Sequence, residues 1–168
     1  SGTHAAVFTR ALTAWYRQHG VRLRGAVLLH DGGSEYIGNV KAKHPSAFQL
    51  ALAEARIRGF QIPKTTYNAE VETIHNTIEF EFFEVERFRD RADFFAKASG
   101  YQLWYNCERR NCNRHDQSPL DILRRVAPAV DQRILLLPAL DLDVLVDRQV
   151  TSAAAAQIKG GHDVPGQT

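Results

Sequence analysis

Ala26-Val27-Leu28-Leu29-His30-Asp31-Gly32-Gly33-Ser34-Glu35-Tyr36 is an apolar run that ends in an aspartate on a glycine-rich turn. The stretch Gly25–His30 is too short and too continuously apolar for a half-exposed helix, so it reads as a buried strand. Asp31 then stands at the carboxyl end of that strand, where open α/β sheets place their ligands. A turn aspartate before two glycines is also an ordinary way to reverse the chain. A second stretch decides between the two: Asn68-Ala69-Glu70-Val71-Glu72-Thr73-Ile74-His75-Asn76-Thr77-Ile78-Glu79. It puts Glu72 in the first turns of an amphipathic helix, where the helix dipole favours an acid whatever its role. Two carboxylates so placed can share a divalent metal, and paired metals drive in-line phosphoryl transfer.

The surrounding elements follow from periodicity and caps. His4 to His19 reads as a helix, with Ala6, Val7, Ala11, Leu12 and Trp15 near helical spacing and Gly20 after its end. Asp31–Val40 is a loop. Ser46 caps a second helix carrying Phe48, Leu50, Leu52, Ala55 and Ile57, which Gly59 ends. Phe60–Pro63 is a short strand. Tyr67 to about Phe83 is a third helix, with Val71, Ile74, His75, Ile78 and Phe82 on one face. Arg91 to Asn106 is a fourth. Ser118-Pro119-Leu120-Asp121 opens a fifth, with serine at the N-cap, proline at N1 and an acid at N3, and it ends near Val126. The apolar runs Ile134–Leu137 and Leu140–Val146 need a surface to bury against. The chain from Thr151 to Thr168 has the composition of a disordered tail.

Bulk properties bound the rest. The chain has 168 residues, 44% hydrophobic and 24% charged, with a net charge of only +2, so total charge argues little for a nucleic-acid partner. Distribution argues more: Arg109, Arg110, Arg114, Arg124 and Arg125 crowd one segment, and acids dominate Glu79–Glu86. These arginines suit phosphates, and equally suit a solvated helix end. No apolar run is long enough to span a bilayer, and no signal peptide is recognisable. Two cysteines five apart make no secreted disulfide framework, which points to a reducing, cytoplasmic compartment. Cys107, Cys112 and His115 have the Cys-x4-Cys-x2-His spacing of three zinc ligands, but no fourth stands at a standard spacing, so thiols without metal are the preferred reading. The chain lacks methionine and starts Ser1-Gly2-Thr3. That start is read as a cut or processed end.

Strand, loop, helix, strand, helix is the order of the catalytic core of retroviral-type integrases and related insertion-sequence transposases, the DDE group of the RNase H-like fold. His30-Asp31-Gly32-Gly33-Ser34-Glu35-Tyr36 resembles that family's T-D-N-G-x-E-F motif. Asn68 to Thr77 resembles its N-G-x-V-E-R-x-N/H-x-T motif. Trp104-Tyr105-Asn106, Arg109-Arg110 and Ser118-Pro119-Leu120-Asp121-Ile122-Leu123 resemble its Y-N-x-x-R-x-H…T-P-x-E-x-L tail. The resemblance covers residues 4–126. Residues 127–150 are then an apolar extension and 151–168 the tail.

The resemblance implies an α/β RNase H-like integrase core, incomplete at its N-terminal strands, with a helix-rich C-terminal part. It implies DNA integration or transposition by a mobile element, Asp31 and Glu72 as catalytic residues holding Mg²⁺ or Mn²⁺, DNA as partner, and a homo-oligomer. Three departures stand beside it. No residue before Asp31 is Asp or Glu, so the family's first catalytic aspartate has no counterpart here. Forty residues separate Asp31 from Glu72, which implies a longer loop around Gly38–Pro45. Glu79 stands where many members carry a DNA-contacting Lys or Arg. The alternative implied is a non-catalytic piece that binds DNA or assembles with an intact protein.

Overall fold

The computed structural model of the protein describes residues 1–37, 44–63, 68–149 and 151. The expected long loop, the first residue of the third expected helix and most of the expected tail lie outside them. Among the described residues the chain is helix-rich, with one parallel pair of strands.

The N-terminal part is built on two helices, α1 (Gly2–Gln18) and α3 (Ala47–Ala55). The side of α1 that is buried is Ala6, Val7, Thr9 and Thr13, rather than the wholly apolar stripe expected through Leu12 and Trp15. Thr9 and Thr13 are tolerated there because each hydroxyl donates to a carbonyl of its own helix, of Ala5 (2.7 Å) and Arg10 (3.1 Å). Opposite them α3 buries Phe48, Ala51, Leu52 and Ala55. The small residues on both sides let the helix axes approach closely. Arg10 clasps Glu54 through two nitrogens (2.7 and 3.0 Å), and Arg17 donates to the Ala55 carbonyl at the end of α3 (2.6 Å). Ser46 caps α3 in a full capping box with Gln49, as expected. The helix stops earlier than Gly59, because Arg56 turns left-handed (φ 59°).

Between these helices run β1 (Val27–His30) and, after α3, β2 (Arg58–Gln61), paired parallel with Val27 opposite Arg58 and His30 opposite Gln61. β2 starts and ends two residues earlier than the sequence suggested. Gly59 sits in it because Leu52 of α3 packs there: a Cβ on residue 59 would stand 2.9 Å from the Leu52 Cδ1. The face carrying Leu28, His30 and Gly59 is the one turned toward α3, with Leu28 and His30 half-buried. The other face carries Val27, Leu29 and Phe60, which are 47%, 53% and 56% exposed. Parallel sheets are normally covered on both faces and have more than two strands. The loop expected after β1 contains one helical turn, α2 (Ser34–Ile37), which packs on α1 and α3.

The C-terminal part starts with α4 (Ala69–Ile78), whose chain widens into a π-turn over Glu79–Phe83. The widening interrupts the single continuous face expected there. Phe82 alone of that face is buried; Val71 and Ile74 are 41% and 45% exposed. Phe82 centres an aromatic cluster with Phe83, Phe88, Phe94 and Tyr101, ring centroids 5.1 to 6.3 Å away. Phe94 and Tyr101 come from α5 (Arg91–Cys107), capped by Asp90. α6 (Pro119–Val126) has the expected Ser118 cap and Asp121 box.

The segment expected as an apolar extension is tied to α1 and α5 by hydrogen bonds, and none of its described residues is buried. A 3₁₀ turn (Gln132–Leu135) offers the Ile134 carbonyl to the Trp15 indole (3.2 Å) and the Leu135 carbonyl to the Asn106 amide (2.6 Å). The Asp131 N–H donates to the His19 carbonyl (3.1 Å), and His4 meets Asp143 (2.9 Å). None of the described helices is long and apolar enough to cross a membrane.

Candidate functional site

Asp31 leaves β1 on a tight turn whose shape its own neighbours fix. Its Oδ1 accepts the Gly33 N–H (3.1 Å), and the Gly32 N–H donates to His30 Nδ1 (3.2 Å). The neutral His30 ring therefore carries its proton on Nε2. Gly32 is left-handed (φ +76°), and a Cβ on it would lie 2.3 Å from the Gln61 amide nitrogen at the end of β2. The carboxylate of Asp31 is exposed. Tyr36 sits behind the turn, its phenol pushed up by burial first and then by the negative charges of Asp31 and Glu35.

Glu72 lies in the first turn of α4, three residues after Ala69, with Glu70 beside it; the Asn68 side chain caps that turn at 3.5 Å. Glu72 is exposed, as is most of α4. Thr73 and Thr77 donate their hydroxyl protons to the carbonyls of Ala69 (2.6 Å) and Thr73 (2.8 Å). Among the described residues no hydrogen bond joins Asp31 to Glu72. Nor are three or more His, Cys, Asp or Glu side chains grouped as metal ligands. Asp31 and Glu72 are hard-oxygen donors of the kind Mg²⁺ takes, but a cation of that type needs further ligands. Cys107, half-buried at the end of α5, and Cys112, exposed in a 3₁₀ turn (Cys112–Arg114), are free thiols.

The five arginines divide by what holds them. Arg109 is fully engaged: its Nε reaches both Glu81 oxygens (2.9 and 2.7 Å), and its guanidinium lies 5.3 Å from the Tyr105 ring centroid. Tyr101 adds a hydrogen bond to Glu81 (3.2 Å). Burial, then the Glu81 charge, pushes the Tyr101 phenol up to about 12. Arg124 donates to Gln132 (3.0 Å) and Arg125 to Gln117 (3.3 Å). Arg114 only approaches Glu70, at 3.8 Å. Arg110 makes no hydrogen bond or ion pair among the described residues. Arg109, Arg110 and Arg114 line one cleft of about 470 Å³, whose opposite wall is Glu70, Thr73 and Thr77 of α4.

Glu81 and Glu70 were not singled out by the sequence, although the acidic run Glu79–Glu86 and the later arginine cluster are the two sides of the Glu81–Arg109 pair. The Arg109 hydrogen bonds hold the Glu81 carboxyl below its ordinary value of 4.5. A lowered folded value means stability that is complete above the unfolded glutamate value and is lost as pH falls through the folded one. Glu81→Gln is therefore expected to cost about 1–2 kcal/mol at neutral pH, after allowance for solvent screening, and less in acid. Urea midpoints of both proteins at pH 7 and pH 3 check this; an equal gap at both pH values would refute it.

Comparison of the chain with family models, with curated proteins and with solved structures finds no match.

Proposed function

We propose that this chain is part of an integrase- or transposase-like core that acts on DNA, with Asp31 and Glu72 as its metal-binding carboxylates. The observation that supports it best is the order β1, α3, β2, α4: a parallel pair with Asp31 at its carboxyl end, then a helix with Glu72 in its first turn. Mg²⁺ or Mn²⁺ held by these two carboxylates would supply Lewis-acid activation of a water or 3′-hydroxyl and neutralise the leaving oxygen. The chain's own part is to fix the Asp31 turn through Gly32 and His30 and to present Glu72 on a capped helix. The arginines at 109, 110, 114, 124 and 125 are assigned to the DNA. A cytoplasmic location and self-association belong to the same reading.

A second reading, a DNA-binding or assembly piece without catalysis, is favoured by one observation: no three-ligand group forms among the described residues. On that ground, turnover of a labelled duplex by this chain alone is expected to be small or nil. The test of the carboxylate pair is independent of turnover. Mn²⁺ added to isotopically labelled protein should broaden amide signals around both Asp31 and Glu72. Either Asp31→Asn or Glu72→Gln should remove both effects. Broadening confined to one of the two segments would overturn the shared site.

A further inference from the structure

We infer that the cleft between α4 and the turn following α5 seats one phosphodiester of a nucleic-acid strand, and that Glu70 competes with that phosphate for Arg114. The inference rests on the DNA reading above and sharpens it, since it selects two of five arginines.

The two walls differ in chemistry. Residues 70, 73 and 77 are spaced three and four apart, so they share one face of α4. Both threonine protons are committed to α4 carbonyls, so the side chains of that wall are acceptors: two hydroxyl oxygens and the Glu70 carboxylate. The facing wall carries three guanidiniums, which are donors only. Arg109 is paired with Glu81 and lies over the Tyr105 ring, so it offers a ligand less than the other two. Arg110 makes no hydrogen bond or ion pair among the described residues, though its charge is felt by Asp121, and the exposed Arg114–Glu70 pair at 3.8 Å is weak. Two guanidinium forks therefore face an opening of about 470 Å³, within the usual range for small-ligand sites. Such forks match phosphate oxygens.

Arg114 is also held in place. The Asn111 carbonyl accepts the N–H groups of Arg114 (2.9 Å) and Asp116 (3.0 Å), and Asn111 pairs with Gln117 across the turn. His115 and Asp116 complete it in left-handed conformation (φ 57° and 56°). A nucleotide unit suits both walls, with phosphate oxygens accepting from Arg110 and Arg114 and base N–H donors meeting Thr73 and Thr77. A bare oxyanion satisfies one wall only.

The experiment is fluorescence anisotropy with a short labelled DNA across a salt series, in chelator, so that no metal enters. R110Q/R114Q should weaken binding about tenfold or more at low salt and lower the slope of log K on log salt by about 1, the value for one phosphate contact. R22Q/R24Q, which removes the same charge from two exposed arginines outside the cleft, should stay within about twofold of the parent at the same salt. Glu70→Gln should tighten binding about threefold, because it frees Arg114 and removes an adjacent negative charge. Circular dichroism and melting of each variant confirm the fold. If the parent binds DNA and R110Q/R114Q binds equally well, the cleft assignment fails while the DNA reading stands. If the parent binds no DNA, both fail. Displacement of the DNA by micromolar inorganic phosphate would show a small-anion site and overturn the strand assignment.

Discussion

Phe48→Ala is expected to cost about 3–5 kcal/mol, the toll of a large aromatic removed from a packed core. Phe48 is 2% exposed and stands in the first turn of α3. Its ring meets His30 edge-on at 5.6 Å and Tyr36 at 4.9 Å. The substitution therefore empties the space directly behind the Asp31 turn. Domains keep roughly 5–15 kcal/mol in all, so this one change brings the N-terminal part close to unfolding. Phe48→Leu, which keeps most of the volume, should cost about 1.5 kcal/mol or less. Denaturant midpoints measure both costs. The His30 ring nitrogen shifts report whether the Nδ1 bond to Gly32 survives. A loss below about 1 kcal/mol for Phe48→Ala would mean that α3 and β1 are not packed as described.

The second large effect is assembly. The pair β1–β2 leaves Val27, Leu29 and Phe60 on an uncovered face, and β1 has one edge without a strand among the described residues. Unpaired edges with apolar side chains recruit other chains. Purified protein is expected to self-associate at micromolar concentration, with light-scattering mass rising across a dilution series. Leu29→Lys, which places a charge on that face without touching the α3 side, should shift the protein toward monomer. A monodisperse monomer that melts cooperatively at every concentration would show that the sheet is closed by other means.

Local chemistry was legible in the sequence wherever one residue type has one structural use. Ser46, and Ser118 with Pro119 and Asp121, marked helix starts to the residue, because such caps satisfy backbone donors that nothing else nearby reaches. The Asp31 turn was legible because Gly32 needs a positive φ and its neighbours are apolar on one side only. Other features depend on partners far along the chain. Arg56 ends α3 in left-handed conformation, and Gly59 serves instead the close approach of Leu52. The π-turn at Glu79–Phe83 breaks an apolar face whose spacing reads as an unbroken helix, since Phe82 is drawn into rings from α5. The fork between Arg109 and Glu81 spans 28 positions, and sequence spacing alone could place both residues in charge clusters without pairing them. Whether Asp31 and Glu72 meet is of the same kind, set by packing between elements and not by any local signal.

The segment that ties α1 to α5 makes its polar contacts in an unusual currency. Trp15 and Asn106 reach the carbonyls of Ile134 and Leu135, and the Asp131 N–H reaches the His19 carbonyl. In each case this segment contributes only main-chain atoms. A carbonyl is spelled identically by every amino acid, so these three contacts survive most rewriting of residues 131–135, the exception being proline at 131. Drift can erase the letters of this strap while the joint persists. Two chains sharing the joint need share no residues there, and their kinship would show in Trp15 and Asn106, at the other end of two of the three bonds.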